Sequence, residues 1–586
     1  RSFMALANPA ITLKLDKYHA YTDVVNSKWY ATANIIEGLQ FTATVGANIR
    51  NQRSNNLYNQ FYGGSVGSQG AVSVSHYREF GVNQQYLLTY KKNIATNHNI
   101  DLLVGYESYN LKLQNLGGSN TKLYNPYIGE LSNAIQIPPS VYSYTDTYTT
   151  QGILARAQYD FKEKYFLSAS YRRDASSRFH PDKRWGNFGS IGGAWLISKE
   201  NFMSSINWID MLKIKASYGI QGNDNLGNYY AYLDQFTVTN SSGDFSVAFA
   251  YKGNKDITWE TSYAFNGGVD FELFGSKLTG TVEYFSRKTV DLLYNQPVPI
   301  SLGYSSIPMN VGSIVNNGVE LELNGTILKT NNILWTANFN ATHYKNKITD
   351  LAETPKKAGG IKGSNYIYRI GGSLYNSYLR KWAGVDPETG KSLYYVDPDK
   401  GDMTTTDDYT KAVQCDLGST LAKVYGGFGT TINAFGFDLS IQLSYQLGGK
   451  LYDGSYEQLM HQGDDPGTNW SMDILKAWTP EKPSTKYPRL DASIDTYQKQ
   501  SSRFLTSSDY LSFNNVMLGY TLPKNLVKSL KLSTVRIYVS GDNLGVISAR
   551  KGLDPRQSLG LGSSTTSGNY SYSAMRTISA GISLSF

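Results

Sequence analysis

The stretch FDLSIQLSYQLGG, residues 437–449, alternates without a break. Phe437, Leu439, Ile441, Leu443, Tyr445 and Leu447 fall on one side. Asp438, Ser440, Gln442, Ser444 and Gln446 fall on the other. Period two marks a strand with one apolar and one polar face. The run is about twice the five or six residues usual for a strand in a soluble protein. Strands of about nine or more residues match a tilted bilayer crossing.

The pattern recurs at LQFTATVGANIR (39–50), LKIKASYG (212–219), KLTGTVEYF (277–285) and RTISAGISLSF (576–586). Composition agrees. Charged residues are 17% of the 586, below the quarter usual in soluble chains, while Tyr (46) and Gly (55) are abundant. Mean hydropathy is mildly negative. Such a chain is apolar on one side only, as in a membrane barrel with a watery interior. No stretch reaches the roughly 18 apolar residues of a transmembrane helix, so a bilayer crossing here requires a closed barrel.

The sequence predicts about seventeen strands, including 28–36, 39–50, 79–92, 98–112, 149–162, 530–546 and 574–586. Short links (EG at 37–38, KEK at 162–164, AFG at 434–436) alternate with long ones. The long ones are predicted at about 51–78, 113–148, 222–257, 346–421, 449–508 and 547–573. Outer-membrane barrels show this asymmetry, with short periplasmic turns and long extracellular loops. If the last strand descends to the periplasm, so does 28–36, and residues 1–27 are the tail of an extracellular loop. Barrels of this kind usually have an even strand count. The expectation is therefore that 1–586 is the C-terminal part of one transmembrane β-barrel domain, preceded elsewhere by an odd number of strands. The fold class is all-β, a transmembrane antiparallel barrel in the outer membrane of a Gram-negative bacterium.

Several motifs carry a resemblance. They are YRRDASSRFHPDKRWGNFGSIGGAWLISKENF (171–202), LKIKASYGIQGNDNLGNY (212–229), and ITWETSYAFNGGVDFELFGSKLTGTVEYFSRKTVDLLYNQPVP (257–299) leading to NVGSIVNNGVELEL (310–323). Further along come ILKAWTPEKPSTKYPRL (474–490), SSDYLSFNNVMLGYTLP (507–523) and VRIYVSGDNLGVISARKGLDP (535–555). In this order they resemble the SusC/RagA family of TonB-dependent outer-membrane transporters. Two departures stand out: Arg556 follows Asp554 and Pro555 where the family usually has Glu, and NFGS (187–190) replaces the usual Phe-Pro-Ser. Arg556 points to an altered loop salt bridge. The resemblance implies a 22-stranded barrel, with the plug absent from this chain. It implies a TonB-contacting segment in the missing N-terminal part and a SusD-like surface lipoprotein as lid. The implied activity is import of oligosaccharides. Peptide import by the same family, or a non-transport barrel such as an adhesin or secretion component, is the alternative.

Catalysis finds no support. The six histidines are scattered without metal-ligand spacing, and Cys415 is single, which excludes an internal disulfide framework. The net charge of +8 is dispersed, without the basic block of a nucleic-acid binder. Asp397, Asp399 and Asp402 in YVDPDKGD have a spacing that can wrap Ca²⁺ or can simply form a polar turn. Tyr452, Tyr456 and Trp470 share a long loop, as do Asn223, Asp224, Tyr229 and Tyr230. Tyr and Trp faces suit cargo, but loop self-packing and lid docking each weigh more than cargo here. Tyr445, Tyr520 and Tyr538 are candidates for interfacial girdles against the lipid bilayer. The terminal Phe586 resembles the aromatic end that the barrel-assembly machinery reads.

Overall fold

The computed structural model describes residues 8–95, 97–136, 140–463, 468–491, 499–528, 531–557 and 574–586. Seventeen strands belong to one sheet: β1 (Lys17–Ile36), β2 (Leu39–Tyr58), β3 (Ala71–Ile94), β4 (His98–Thr121), β5 (Ser140–Phe161), β6 (Tyr165–Ser176), β7 (Trp185–Leu196), β8 (Ile209–Asn223), β9 (Glu260–Leu273), β10 (Leu278–Val290), β11 (Ser313–Lys329), β12 (Ile333–Asp350), β13 (Val424–Ala434), β14 (Phe437–Leu447), β15 (Tyr510–Thr521), β16 (Thr534–Ser548) and β17 (Thr577–Ser585). No helix among the described residues is long and apolar enough to cross a membrane. The chain divides into two compact units. One holds residues 1–193, 218–263 and 290–311; the other holds 194–217, 264–289 and 312–586.

In the first unit, β1 to β6 form an antiparallel meander. Its strands outrun their predicted ends. Residues 51–58 pair with 71–78, and 113–119 pair with 140–146. The long links expected at 51–78 and 113–148 therefore shrink to about 59–70 and 122–139. Residues 17–27, expected as loop, are the first half of β1, paired with 47–57. The cause of all three differences is the same. Beyond the bilayer a strand has no lipid face, so NQRSNNLY (51–58) lacks alternation, yet its backbone still pairs with a neighbour.

In the second unit, β11 to β17 form a second antiparallel run. The turn between β13 and β14 has only two residues, Phe435 (φ 53°) and Gly436 (φ 89°), joining Ala434 to its partner Phe437. Two successive left-handed residues make a tight turn matched to strand twist, and glycine takes one of those positions without strain. Between β12 and β13 the chain builds its own small sheets. One has three strands (Trp382–Val385, Ser392–Asp397, Asp402–Thr406), and another pairs Asn376–Arg380 with Gln414–Ser419. A buried cluster of Leu379, Tyr452, Met460, Ile474 and Phe504 joins these residues to the 449–508 segment.

The abundance of Gly and aromatic residues has a local explanation. A Cβ added at Gly581 would meet the ring of Tyr538, at Gly117 that of Tyr142, and at Gly318 that of Phe285. Rings lie flat over glycines of the neighbouring strand, covering backbone that glycine leaves bare. This corrects the girdle reading of Tyr538. It alternates with the exposed Ile537 and Val539, and so shares the polar face with Arg536, whose guanidinium lies 5.0 Å from its ring. Tyr445 and Tyr520 stand on the apolar face, beside Phe339 and Phe437 respectively.

Candidate functional site

In the first unit, β8 ends at Asn223, and the chain then turns through successive side-chain caps. The Asn225 amide donates to Asn223 Oδ1 (3.1 Å), and the Tyr230 amide to Asn228 Oδ1 (2.8 Å). These bonds set Asp224 and Tyr229 against the link that follows β6. Tyr148 Oη and Ser176 Oγ both donate to Asp224 Oδ2, at 2.7 and 2.6 Å. The Arg178 guanidinium lies over two neighbouring rings, 4.7 Å from Tyr148 and 5.0 Å from Tyr229, which are 5.8 Å from each other. Its Nη1 donates to Asn225 Oδ1 (2.7 Å) and to the Asp224 carbonyl (3.2 Å), with Asp224 Oδ1 at 3.7 Å. Tyr230 Oη accepts from the Thr147 amide (3.0 Å), and Asn223 Nδ2 donates to Glu260 (3.3 Å).

A small core carries this cluster. Phe179, next to Arg178, is buried with Ala231 and Ile257 and packs on Trp259. Trp259 Nε1 donates to the Arg184 carbonyl (2.9 Å). The SRFHPDKRW and ITWE motifs are thus the two halves of one buttress under the loop. Tyr148 and Tyr109 (ring centroids 6.3 Å apart) share the polar face of the sheet with Glu107, opposite the exposed Leu102, Val104 and Ile153. Of the predicted residues, the fold brings Asp224 and Tyr229 together and sets Asn223 and Tyr230 at the edge. Arg178, Tyr148 and Ser176 join them and were not predicted. Ser176 and Arg178 stood in the quoted motif; the signal missed was an Arg directly before the buried Phe179.

In the second unit, Tyr452 is 1% exposed and packs on Phe504. Tyr456 Oη donates to Asp473 (2.7 Å), and the Arg550 guanidinium lies 5.0 Å from its ring. Trp470 stacks on His461 (4.9 Å) and donates to its carbonyl (2.8 Å), leaving one face exposed. Tyr452 is thus a core residue of the loop, whereas Trp470 presents surface. The three aspartates point to different partners. Asp397 pairs with Lys400 (2.9 Å), Asp399 accepts from the Asp416 amide (3.3 Å), and Asp402 accepts from Thr404 Oγ1 (2.6 Å). Among the described residues no group of three His, Cys, Asp or Glu side chains is placed to hold a metal ion. Phe586 is exposed, and its backbone oxygen accepts from Ser533 Oγ (3.3 Å).

Comparison with known proteins follows the geometry. Residues 7–544 match the family model described as TonB dependent receptor-like, beta-barrel. TonB-dependent receptor P39 of Formosa agariphila is 28% identical over 90% of this chain and 55% of its own length. TonB-dependent receptor SusC of Bacteroides thetaiotaomicron is 24% identical over 98% of this chain and 57% of its own. The chain spans about half the length of these curated relatives. Among solved structures, the RagAB peptide transporter superposes with a TM-score of 0.88 at 26% identity, covering 98% of this chain and 63% of that one.

Proposed function

The chain belongs to the TonB-dependent receptor-like β-barrel family, a family of outer-membrane proteins of Gram-negative bacteria and not of enzymes, and on that premise we propose that it is the barrel portion of a TonB-driven peptide importer. The observation that carries this reading is the likeness to the RagAB peptide transporter along 98% of the chain. Oligosaccharide cargo, the first expectation from the sequence, has less support, so the peptide alternative takes its place.

In this reading a SusD-like lipoprotein covers the extracellular end. Cargo is held by loops, and TonB acts through a segment outside these residues to release it inward. Trp470, Tyr229 and Tyr230 supply contacts to cargo or lid. The test is mass spectrometry of cargo that co-purifies with the full-length protein from its native outer membrane. Peptides that disappear from a strain lacking the gene are the expected result. Glycans in their place would restore the oligosaccharide reading, and no small cargo would favour a non-transport barrel.

A further inference from the structure

Arg178 is held firmly, yet part of its donor edge is unmet. Its side chain is 12% exposed and lies over two neighbouring rings, Tyr148 and Tyr229, whose centroids are 5.8 Å apart. Only Nη1 has hydrogen-bond acceptors, Asn225 Oδ1 and the Asp224 carbonyl. Nε is buried and has no acceptor, and Nη2 has no protein acceptor among the described residues. The nearest carboxylate, Asp224, pairs with it as an ion but accepts no hydrogen bond from it. Its Oδ2 already accepts two hydroxyl bonds, and its Oδ1 stays 3.7 Å from Nη1. A guanidinium carries five N–H donors, and leaving part of its edge unmet in a half-desolvated setting is unfavourable. The two adjacent rings hold the guanidinium in place by cation–π attraction without using its N–H donors.

We propose that Arg178 is a receptor for a carboxylate of the incoming peptide, with Nη2 as the donor that meets it. The deduction rests on the peptide reading above and adds a chemical class to it: peptides recognised through an acidic side chain or a free C-terminus. Three features support an anion and not a cation. The open group is a cation, its local acid is occupied, and a planar fork matches a carboxylate. Tyr109, beside Tyr148 on the same polar face, extends the aromatic surface along which the rest of the peptide lies.

The test is calorimetric titration of the full-length protein in detergent with N-acetylated pentapeptides. Ala-Ala-Tyr-Ala-Ala is compared as free acid and as amide. Ala-Ala-Glu-Ala-Ala amide is compared with its Gln counterpart, which separates a terminal from a side-chain carboxylate. In at least one pair the acid binds about tenfold tighter than its neutral form. Arg178→Gln reduces that ratio to about one. Arg178→Lys, which keeps the charge and loses the fork, retains part of it. Tyr229→Leu narrows the ratio with no change of charge. Heat-dependent gel mobility checks that each variant is folded, and the wild-type ratio decides the matter even if Arg178→Gln fails to fold. Equal binding of acid and neutral forms by the wild type overturns this inference and leaves peptide import standing. Failure of every peptide to bind overturns both. An acid preference that survives in Arg178→Gln overturns the assignment to Arg178.

Discussion

Asp438 and Arg536 form a two-pronged ion pair across an intervening strand, with Oδ1–Nε at 2.9 Å and Oδ2–Nη2 at 2.5 Å. Asp438 lies on β14 and Arg536 on β16. Between them β15 places Gly519, where a Cβ would sit 2.4 Å from Asp438 Oδ1 and 2.6 Å from Arg536 Nη2. The bridge exists because that position is bare. Gly519→Val is expected to separate the pair, and Asp438→Asn to weaken it while sparing the space. Both groups are partly solvated, so the pair is worth about 1 kcal/mol. Gly519→Val adds overpacking of about 1–3 kcal/mol. The midpoint of heat-dependent gel mobility should fall in the order wild type, Asp438→Asn, Gly519→Val. Equal midpoints for Gly519→Val and wild type would exclude a spacing role.

Asp453 performs two tasks with its two oxygens. Oδ1 accepts from the Tyr456 amide (3.0 Å), capping the short helix Gly454–Leu459. Oδ2 accepts from Arg550 Nε (2.9 Å) and Nη2 (2.5 Å), tying the 449–508 segment to the link after β16. The Asp453 side chain is 2% exposed. Asp453→Asn keeps the cap and loses the ion pair. Asp453→Ala loses both: about 1 kcal/mol for the cap and about 3 kcal/mol for leaving a guanidinium unpaired. Hydrogen exchange over 451–460 should rise modestly in the first variant and strongly in the second, with 549–552 accelerated in both. Unchanged exchange at 549–552 would show that the two segments are not coupled.

The sequence discloses the strands that touch lipid and hides what lies beyond it. Alternation at 437–447 or 578–584 records two unlike environments, so the eye finds those strands. At 17–27, 51–58 and 113–121 the strands run on by backbone pairing with no sustained alternation, and Leu57 packs on loop residues Leu123 and Ala134. The same limit governs the candidate sites. Asp224 and Tyr229 stand out because a Gly- and Asn-rich loop displays them. Arg178 and Arg550 find their partners 46 and 97 residues away, a pairing that local spacing does not carry. The Asp397–Asp399–Asp402 reading fails to assemble a three-carboxylate group for a stereochemical reason. A single turn, Pro398–Lys400, ends at Gly401 (φ 83°) and sends the three side chains to separate partners.

Glu457 gives the 449–508 segment its pH dependence. Burial pushes its carboxyl above the ordinary value, and the neighbouring Tyr452 hydroxyl only partly opposes this. A carboxyl raised by burial binds its proton more tightly folded than unfolded. The folded state therefore holds more protons, and stability falls as pH rises through the raised value. Glu457→Gln removes that loss. Helix Gly454–Leu459 should exchange more slowly in the variant than in wild type at pH 8, and the two should converge near pH 4. A variant that exchanges faster at pH 8 would mean that the influence of Tyr452 outweighs burial.

Arg556, the residue that departs from the family's usual Glu, makes a bond that Glu cannot make. Its Nε and Nη2 hold Asp554 at 2.8 and 2.7 Å, and its Nη1 donates to Ser512 Oγ on β15 at 2.7 Å. Ser512 in turn donates to Asn514, which lies where the register shifts between β14 and β15 and between β15 and β16. One side chain thus pins the start of the last long link to the sheet. The Arg556 guanidinium holds the Asp554 carboxyl below the usual range. A depressed carboxyl stabilises the fold above its unfolded value, about 3.9, and that stabilisation is lost as pH falls through the lower folded value. Arg556→Glu places a second carboxylate beside the buried Asp554 and removes the anchor to Ser512, costing about 2–4 kcal/mol locally. Limited proteolysis at pH 7 should cut between 548 and 557 at least tenfold faster in the variant. Asp554→Asn, which keeps an acceptor and removes the repulsion, should partly rescue Arg556→Glu. Cutting unchanged by Arg556→Glu would show that the link is anchored elsewhere.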